Sequence, residues 1–155
     1  MEKATFGAGC FWGVQAAFDR LGGVVYSEVG FMGGDVKDPT YQQVSNSETG
    51  HAEVVQVIYD PEKITYEDLL SEFWEVHNPT LLNQQGADIG SQYRSVIFYH
   101  SDKQKSQAEH SKLEEQMSGK YDMKIATKIE QASTFYPAEE KHQKYLEKQN
   151  LGQSK

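Results

Sequence analysis

The segment Lys3-Ala4-Thr5-Phe6-Gly7-Ala8-Gly9-Cys10-Phe11-Trp12-Gly13 changes its pattern halfway along, from that of a strand to that of a helix. Lys3 to Ala8 is short, partly apolar and bounded by glycine, which predicts a β-strand. From Phe11 to Leu21, large apolar residues recur at intervals of three and four, which predicts a helix that ends at Gly22-Gly23. Cys10 is therefore expected where the first strand gives way to the first helix.

The rest of the chain continues the alternation of strands and helices. The later predicted elements are strands over Val24–Phe31 and His51–Tyr59, a helix opened by Thr65 and Asp68, a strand over Ser95–Tyr99, a helix from Ser101 or Asp102 to about Met117, a strand over Lys124–Ile129 and a helix from Pro137 to about Asn150. The first six elements follow the split βαβ order. We therefore predict an α+β fold, a two-layer ferredoxin-like α/β sandwich with a mixed sheet and extra C-terminal elements. A single catalytic domain is expected over residues 1–155, with a flexible tail from about 150.

Composition excludes several classes of function. The 155 residues carry a formal net charge of −8, which disfavours nucleic acid and anionic membranes as partners. No apolar run approaches the roughly 18 residues that span a bilayer. Because the first residues also lack a secretory signal pattern, a cytoplasmic protein is expected. It is also expected to be a monomer.

Cys10 is the only cysteine, which rules out a disulfide within the chain and a cysteine-based zinc site. A thiolate at a helix N-terminus is stabilised by backbone N–H groups and the helix dipole, so a pKa below about 8.5 is expected. This favours a catalytic nucleophile. The alternative is a buried structural cysteine.

The five histidines show no spacing typical of a metal site, so no metal is expected. His51 precedes Glu53 by two residues, and the two side chains would share one face of a strand. His51 is thus a candidate base for Cys10, although a structural role is the stronger expectation.

Several blocks together resemble a known family, the peptide methionine sulfoxide reductases of the A type. They are Gly9-Cys10-Phe11-Trp12-Gly13, Pro39-Thr40-Tyr41-Gln42-Gln43-Val44, Thr49-Gly50-His51-Ala52-Glu53-Val54, the run from Gln85 to Ser95, Phe135-Tyr136-Pro137-Ala138-Glu139-Glu140 and His142-Gln143. The blocks run in order along nearly the whole chain.

The resemblance implies reduction of the S epimer of methionine sulfoxide, free or in oxidised proteins, as a repair activity under oxidative stress. It makes Cys10 the thiol that attacks the sulfoxide sulfur and becomes a sulfenic acid. It makes Glu53 the group that supplies a proton to the sulfoxide oxygen, a role that requires a protonated carboxyl near neutral pH.

The same resemblance implies a substrate pocket. Tyr41 and Tyr93 match tyrosines that hydrogen-bond the substrate oxygen, and Asp88 matches an aspartate of that pocket. Phe11 and Trp12 match the rings that hold the substrate methyl group. Since neighbouring residues on a helix point in different directions, at least one of these two rings is expected to line a surface hollow.

Many family members resolve the sulfenic acid with a second cysteine, and this chain has none. Ser45 stands where many bacterial members carry cysteine, and Ser47 replaces a common glycine. No cofactor is implied beyond an external thiol reductant, for which glutathione, a glutaredoxin and thioredoxin are the candidates.

Two other functions remain open from the sequence. A one-cysteine thiol peroxidase or hydrolase would pair Cys10 with His51. A peptide-binding module would use Phe11 and Trp12 to grip methionine side chains without turnover.

Overall fold

The computed structural model describes the backbone of residues 1–46 and 49–153, so Ser47 and the last two residues of the predicted tail lie outside the described part. The strands are β1 Glu2–Ala8, β2 Val24–Met32, β3 Ala52–Tyr59, β4 Gln84–Gln85, β5 Asp88–Ile89, β6 Ser95–Tyr99, β7 Lys128–Gln131 and β8 Tyr136–Pro137. The helices are α1 Phe11–Asp19, α2 Tyr41–Ser45, α3 Tyr66–Glu75, α4 Asp102–Met117 and α5 Tyr145–Gln153, with 3-10 turns at Ser91–Tyr93 and Glu140–His142.

Six strands form one mixed sheet in the order β7-β6-β1-β3-β2-β8, and β4 and β5 form a separate hairpin. The inner order β6-β1-β3-β2 is antiparallel throughout, while β7 joins β6 in parallel. Strand, helix, strand, strand, helix and strand thus assemble as the predicted ferredoxin-like sandwich. The predicted α+β class is confirmed.

Helices α1, α3 and α4 cover one face of the sheet, and the main core lies between the two layers. Phe6 on β1 is fully buried and stacks on Phe18 of α1 with ring centroids 5.1 Å apart. It also meets Phe73 of α3 at 5.4 Å. These contacts lock both helices against β1, the strand that leads directly to Cys10.

A smaller apolar cluster covers the other face of the sheet. Val54, Val96 and Phe98 are buried there beneath Phe135 of the C-terminal segment. Because β3 is buried on both faces, the Glu53 side chain is enclosed by protein rather than solvated.

Two helix starts follow the sequence signals. Thr65 accepts a hydrogen bond from the Asp68 N–H, and Asp68 accepts one from the Thr65 N–H, so the predicted capping box is present. Ser101 caps α4 through the Gln104 N–H.

The C-terminal region differs from the prediction. Pro137 does not begin a helix; it lies in β8, whose residues pair with Gly30 and Phe31 of β2. Proline is compatible with the outermost strand because it has no N–H to leave unpaired. The final helix begins only at Tyr145, and the strand predicted at Lys124–Ile129 lies at Lys128–Gln131.

Among the described residues, none of the helices is both long enough and apolar enough to cross a membrane.

Candidate active site

Cys10 lies at the N-cap of α1, as the sequence predicts, and it is partly accessible. Gly9 before it has φ +99°, and a Cβ at Gly9 would lie 2.9 Å from the Gln85 side chain. Only glycine meets both demands without strain. The tight turn places the Cys10 thiol over the first backbone N–H groups of the helix.

The acidity of Cys10 is opposite to the expectation. Its pKa is raised to about 11, chiefly by burial. The N–H groups of Trp12 and Gly13 do lower the pKa, but the negative charges of Glu53 and Asp88 raise it. The helix terminus therefore acts as predicted, and burial together with two carboxylates outweighs it.

Glu53 is the buried acid nearest this turn. It lies on β3 opposite Phe31, and only 1% of its surface is exposed. One carboxyl oxygen, Oε1, accepts a hydrogen bond of 3.2 Å from the Phe11 N–H. The other, Oε2, is buried without a partner among the described residues.

Burial raises the pKa of Glu53 to about 7, against the lowering effect of the Phe11 N–H and with a further increase from Asp88. At neutral pH a substantial fraction of Glu53 therefore carries a proton. A protonated carboxyl with a free buried oxygen is a proton donor directed at the same helix terminus as Cys10.

The predicted pocket residues Tyr41, Tyr93 and Asp88 converge on this pair from three different segments. Tyr41 begins α2, Asp88 lies on the β4–β5 hairpin and Tyr93 ends a 3-10 turn. Burial raises the pKa of Tyr41, and burial also raises that of Tyr93 to about 12, with Glu53 the next contributor in both cases. Both hydroxyls therefore stay protonated and able to donate hydrogen bonds.

The two aromatic rings that follow Cys10, those of Phe11 and Trp12, differ in their burial. Phe11 is fully buried, whereas Trp12 is half-buried. Trp12 stacks on Tyr145 with ring centroids 4.0 Å apart. Tyr41 stacks in turn on His142 at 4.3 Å, and His142 accepts a hydrogen bond from the Trp12 indole N–H. An aromatic wall thus stands beside the thiol.

His142 and Tyr145 were missed as site residues by sequence reasoning. His142 was part of a matching block, which was the one available signal, while Tyr145 carries no local signature. Both are brought to Trp12 only because β8 returns the C-terminal segment to the edge of the sheet.

His51 is structural rather than a base for Cys10. Its Nδ1 accepts a hydrogen bond from the Gly34 N–H at 2.9 Å, so its Nε2 carries the proton and donates to the Val36 carbonyl at 2.7 Å. Both ring nitrogens are therefore engaged by the loop between β2 and α2.

In residues 1–46 and 49–153, no three His, Cys, Asp or Glu side chains are grouped so as to hold a metal ion. The chemistry available at this site is that of one thiol, one protonatable carboxyl and two tyrosine hydroxyls against an aromatic wall. That set suits thiol attack on a polar sulfur–oxygen group.

Comparison with known proteins identifies the family. The family described as peptide methionine sulfoxide reductase matches residues 2–155. The MsrA of Methanothermobacter thermautotrophicus is 58% identical over 147 residues, which cover 95% of this chain and 87% of the relative.

Solved structures agree. Reduced Mxr1 from Saccharomyces cerevisiae is 39% identical with a TM-score of 0.91, over 96% of this chain and 86% of that one. Mxr1 in complex with Trx2 is 30% identical with a TM-score of 0.65, over 93% and 84%. The chain belongs to the peptide methionine sulfoxide reductase family, and it is an oxidoreductase that reduces methionine sulfoxide.

Proposed function

We propose that the chain reduces the S epimer of methionine sulfoxide by attack of Cys10 on sulfur, with Glu53 as proton donor. The observation that carries the proposal is the buried Glu53 carboxyl. It is anchored to the Phe11 N–H, has one unpartnered oxygen and has a pKa raised to about 7. A buried acid with one free oxygen and a pKa near neutrality suits proton donation.

In the first step, the Cys10 sulfur bonds to the sulfoxide sulfur while Glu53 protonates the sulfoxide oxygen. The oxygen then passes to Cys10 as a sulfenic hydroxyl, and methionine leaves. The sulfoxide gains two electrons and Cys10 loses two, while the thiol proton restores Glu53. Atoms and charge therefore balance without a metal or an organic cofactor.

The high pKa of Cys10 is compatible with this step. Proton transfer accompanies attack, because the free thiolate is disfavoured until the sulfoxide oxygen takes up a proton. A protonated Glu53 also removes one of the two charges that raise the pKa of Cys10. The site thus couples ionisation of the thiol to the presence of substrate.

Selection of one epimer follows from three contacts around the pyramidal sulfur. Cys10 approaches from one direction, Glu53 with Tyr41 and Tyr93 holds the oxygen, and the Trp12 ring holds the methyl group. Once three directions around a chiral centre are assigned, the mirror arrangement cannot make all three contacts. Asp88, on the rim of the pocket, orients the bound substrate.

The remaining group on sulfur, the rest of the methionine, points towards solvent. We therefore propose that both the free amino acid and methionine sulfoxide in proteins are substrates.

The sulfenic acid is then reduced by an external thiol, because these 155 residues hold only one cysteine. The solved complex of yeast Mxr1 with Trx2 supports a thioredoxin as one such donor. Glutathione and glutaredoxin are further candidates, and all three belong to a reducing compartment such as the cytoplasm. The thiol peroxidase alternative is not favoured, and the engagement of both His51 nitrogens removes its base.

The test offers each epimer of a methionine sulfoxide peptide to the protein with dithiothreitol, and then traps the sulfenic acid in a single turnover without reductant. Consumption of the S epimer alone, with one sulfenic acid per chain, is expected. Consumption of the R epimer, or peroxide turnover without sulfoxide turnover, would contradict the proposal.

A further inference from the structure

A groove of about 470 Å³ opens beside Cys10 on the side away from the aromatic wall. Its α1 side is formed by Gly13, Ala17 and Arg20, and its α3 side includes Glu72 and Glu75. The volume is within the roughly 300–1,000 Å³ typical of small-molecule sites. Nothing in the reduction of the sulfoxide uses this groove.

The groove and the substrate pocket lie on opposite sides of α1. Gly13, Ala17 and Arg20 follow one another at intervals of four and three, so they share one face of the helix. The groove lies between α1 and α3, whereas the aromatic wall beside Trp12 is built by Tyr41 of α2 and by the C-terminal segment. Cys10, at the start of the helix, is open to both sides.

We infer that this groove is the entry site of the external reductant, and that its occupant is a small zwitterionic thiol of the glutathione and cysteine class. The inference rests on the proposed function, in which the sulfenic oxygen faces Glu53. A thiolate that displaces oxygen from a sulfur atom attacks in line, from the side opposite the leaving oxygen. Cys10 lines the groove and Glu53 does not, so a thiol that enters through the groove approaches Cys10 from a side other than that of the sulfenic oxygen.

The reaction in the groove balances as a displacement. The incoming thiol sulfur bonds to the Cys10 sulfur, the S–O bond breaks, and the oxygen leaves as water after it takes a proton from Glu53. The thiol proton returns to Glu53. A second thiol molecule then attacks the mixed disulfide, which releases the Cys10 thiol and a small-molecule disulfide.

The charges of the groove match a zwitterion. Arg20 is exposed and forms no ion pair within the described part of the chain, and Glu72 is likewise without one. Glu75 lies 3.9 Å from Lys120, which offsets its charge. The groove thus presents one unpaired cation for a carboxylate and one unpaired anion for an ammonium group.

The remaining lining adds no charge. His77 is neutral, because burial lowers its pKa to about 4. Its ring nitrogens are occupied by the Phe73 carbonyl and the Ser95 hydroxyl. Ala8, Val14 and Val76 complete an apolar floor beneath the position of the incoming thiol.

The test measures reduction of preformed Cys10 sulfenic acid by glutathione and by dithiothreitol, which has no charge, in the wild type and in Arg20→Glu. We expect saturation with glutathione in the wild type. We expect the ratio of the glutathione to the dithiothreitol rate constant to fall about five-fold in Arg20→Glu, in keeping with an exposed ion pair. High salt reduces the same ratio in the wild type.

A matched control is Lys103→Glu, which makes the same change in net charge on α4, outside the groove and the catalytic site. An equal fall in the ratio for Lys103→Glu, or no fall for Arg20→Glu, overturns the inference. So does an Arg20 effect that is seen with thioredoxin and is absent with glutathione, because the groove would then serve a protein partner. If the wild type fails to form sulfenic acid at all, the proposed function itself is wrong.

A second variant, Gly13→Leu, tests the groove by filling it. A Cβ at Gly13 meets no atom within 4 Å, so the helix accommodates the side chain. We expect reduction by glutathione to slow at least ten-fold and formation of sulfenic acid to change less. A larger effect on formation than on reduction would place the leucine in the substrate path and overturn the assignment.

Discussion

Helices α1 and α3 lie on the same face of one sheet, yet their first turns are completed in opposite ways. In α3, the side chains of Thr65 and Asp68 satisfy the first backbone N–H groups, and both are exposed. In α1, Cys10 provides no side-chain cap, and the Phe11 N–H is bound by Glu53, which is 42 residues distant.

The difference separates stability from reactivity. A local cap such as that of α3 contributes about 1 kcal/mol to the free energy of unfolding, and it occupies the N–H groups that could otherwise bind a reactive side chain. The α1 terminus leaves its N–H groups to a thiol and to a buried carboxyl from another strand. At neutral pH Cys10 is held as the uncharged thiol and a substantial fraction of Glu53 carries a proton, and the proposed reaction uses both protonated forms.

The largest effect is expected for Cys10→Ser, which replaces the reactive thiol at the start of α1 by a common N-cap residue. We expect sulfoxide reduction with dithiothreitol to fall to the uncatalysed background. Because serine is a favoured N-cap residue, the free energy of unfolding should rise by about 0.5–1 kcal/mol. Denaturant titration beside the activity assay measures both, and residual turnover would contradict the role of Cys10.

Glu53→Gln keeps an acceptor for the Phe11 N–H and removes the proton. We expect formation of sulfenic acid to slow by about 10²–10⁴-fold at pH 6, the range of general acid catalysis. Since the pKa of Glu53 is raised to about 7, its acid form is present below that pH and is lost above it. The wild-type rate should therefore fall as the pH rises through about 7.

The glutamine variant should lack that inflection in single-turnover measurements. An inflection near pH 7 that survives in Glu53→Gln would assign the titration to another group.

Tyr93→Phe removes one hydroxyl near the start of α1 and so tests its contribution to the reaction. Loss of one hydrogen bond to a developing charge should lower kcat/KM for the sulfoxide about ten-fold. Tyr26→Phe, on an exposed ring outside the site, is the matched control. Equal activity of the two variants would remove Tyr93 from the site.

The smallest expected effect is that of Thr65→Ala at the other terminus. The free energy of unfolding should fall by about 1 kcal/mol, because the Asp68 N–H loses its acceptor. Sulfoxide reduction at 25 °C should be unchanged. A lower rate of sulfoxide reduction in Thr65→Ala, at a temperature where the variant is still fully folded, would show that the two helix termini are coupled.

Local patterns were sufficient where local physics decides the structure. The cap at Thr65 and the position of Cys10 at a strand-to-helix junction both follow from neighbouring residues. The same capping rule holds at α2, where Thr40 and Gln43 form a capping box.

The sequence was insufficient where distant segments decide. The pKa of Cys10 depends on its burial and on two carboxylates from β3 and the β4–β5 hairpin, which no local rule sums. The local sequence around Pro137 predicts a helix start, but Pro137 lies in β8, which pairs with the edge of β2. Tyr145 joins Trp12 only through that strand pairing. The catalytic roles of Glu53, Asp88 and the tyrosines stay predictions, although the structure brings their side chains together.

The short strand β8 has a further consequence, for association between molecules. An open sheet edge is a template on which strands of other chains can add. Here the outermost strand at one end is two residues long and ends in Pro137, which has no N–H to donate. At the other end, β7 carries the exposed charges of Lys128 and Glu130. Both borders of the sheet are therefore poor templates for strand addition, one because a donor is missing and the other because its charges would have to be desolvated.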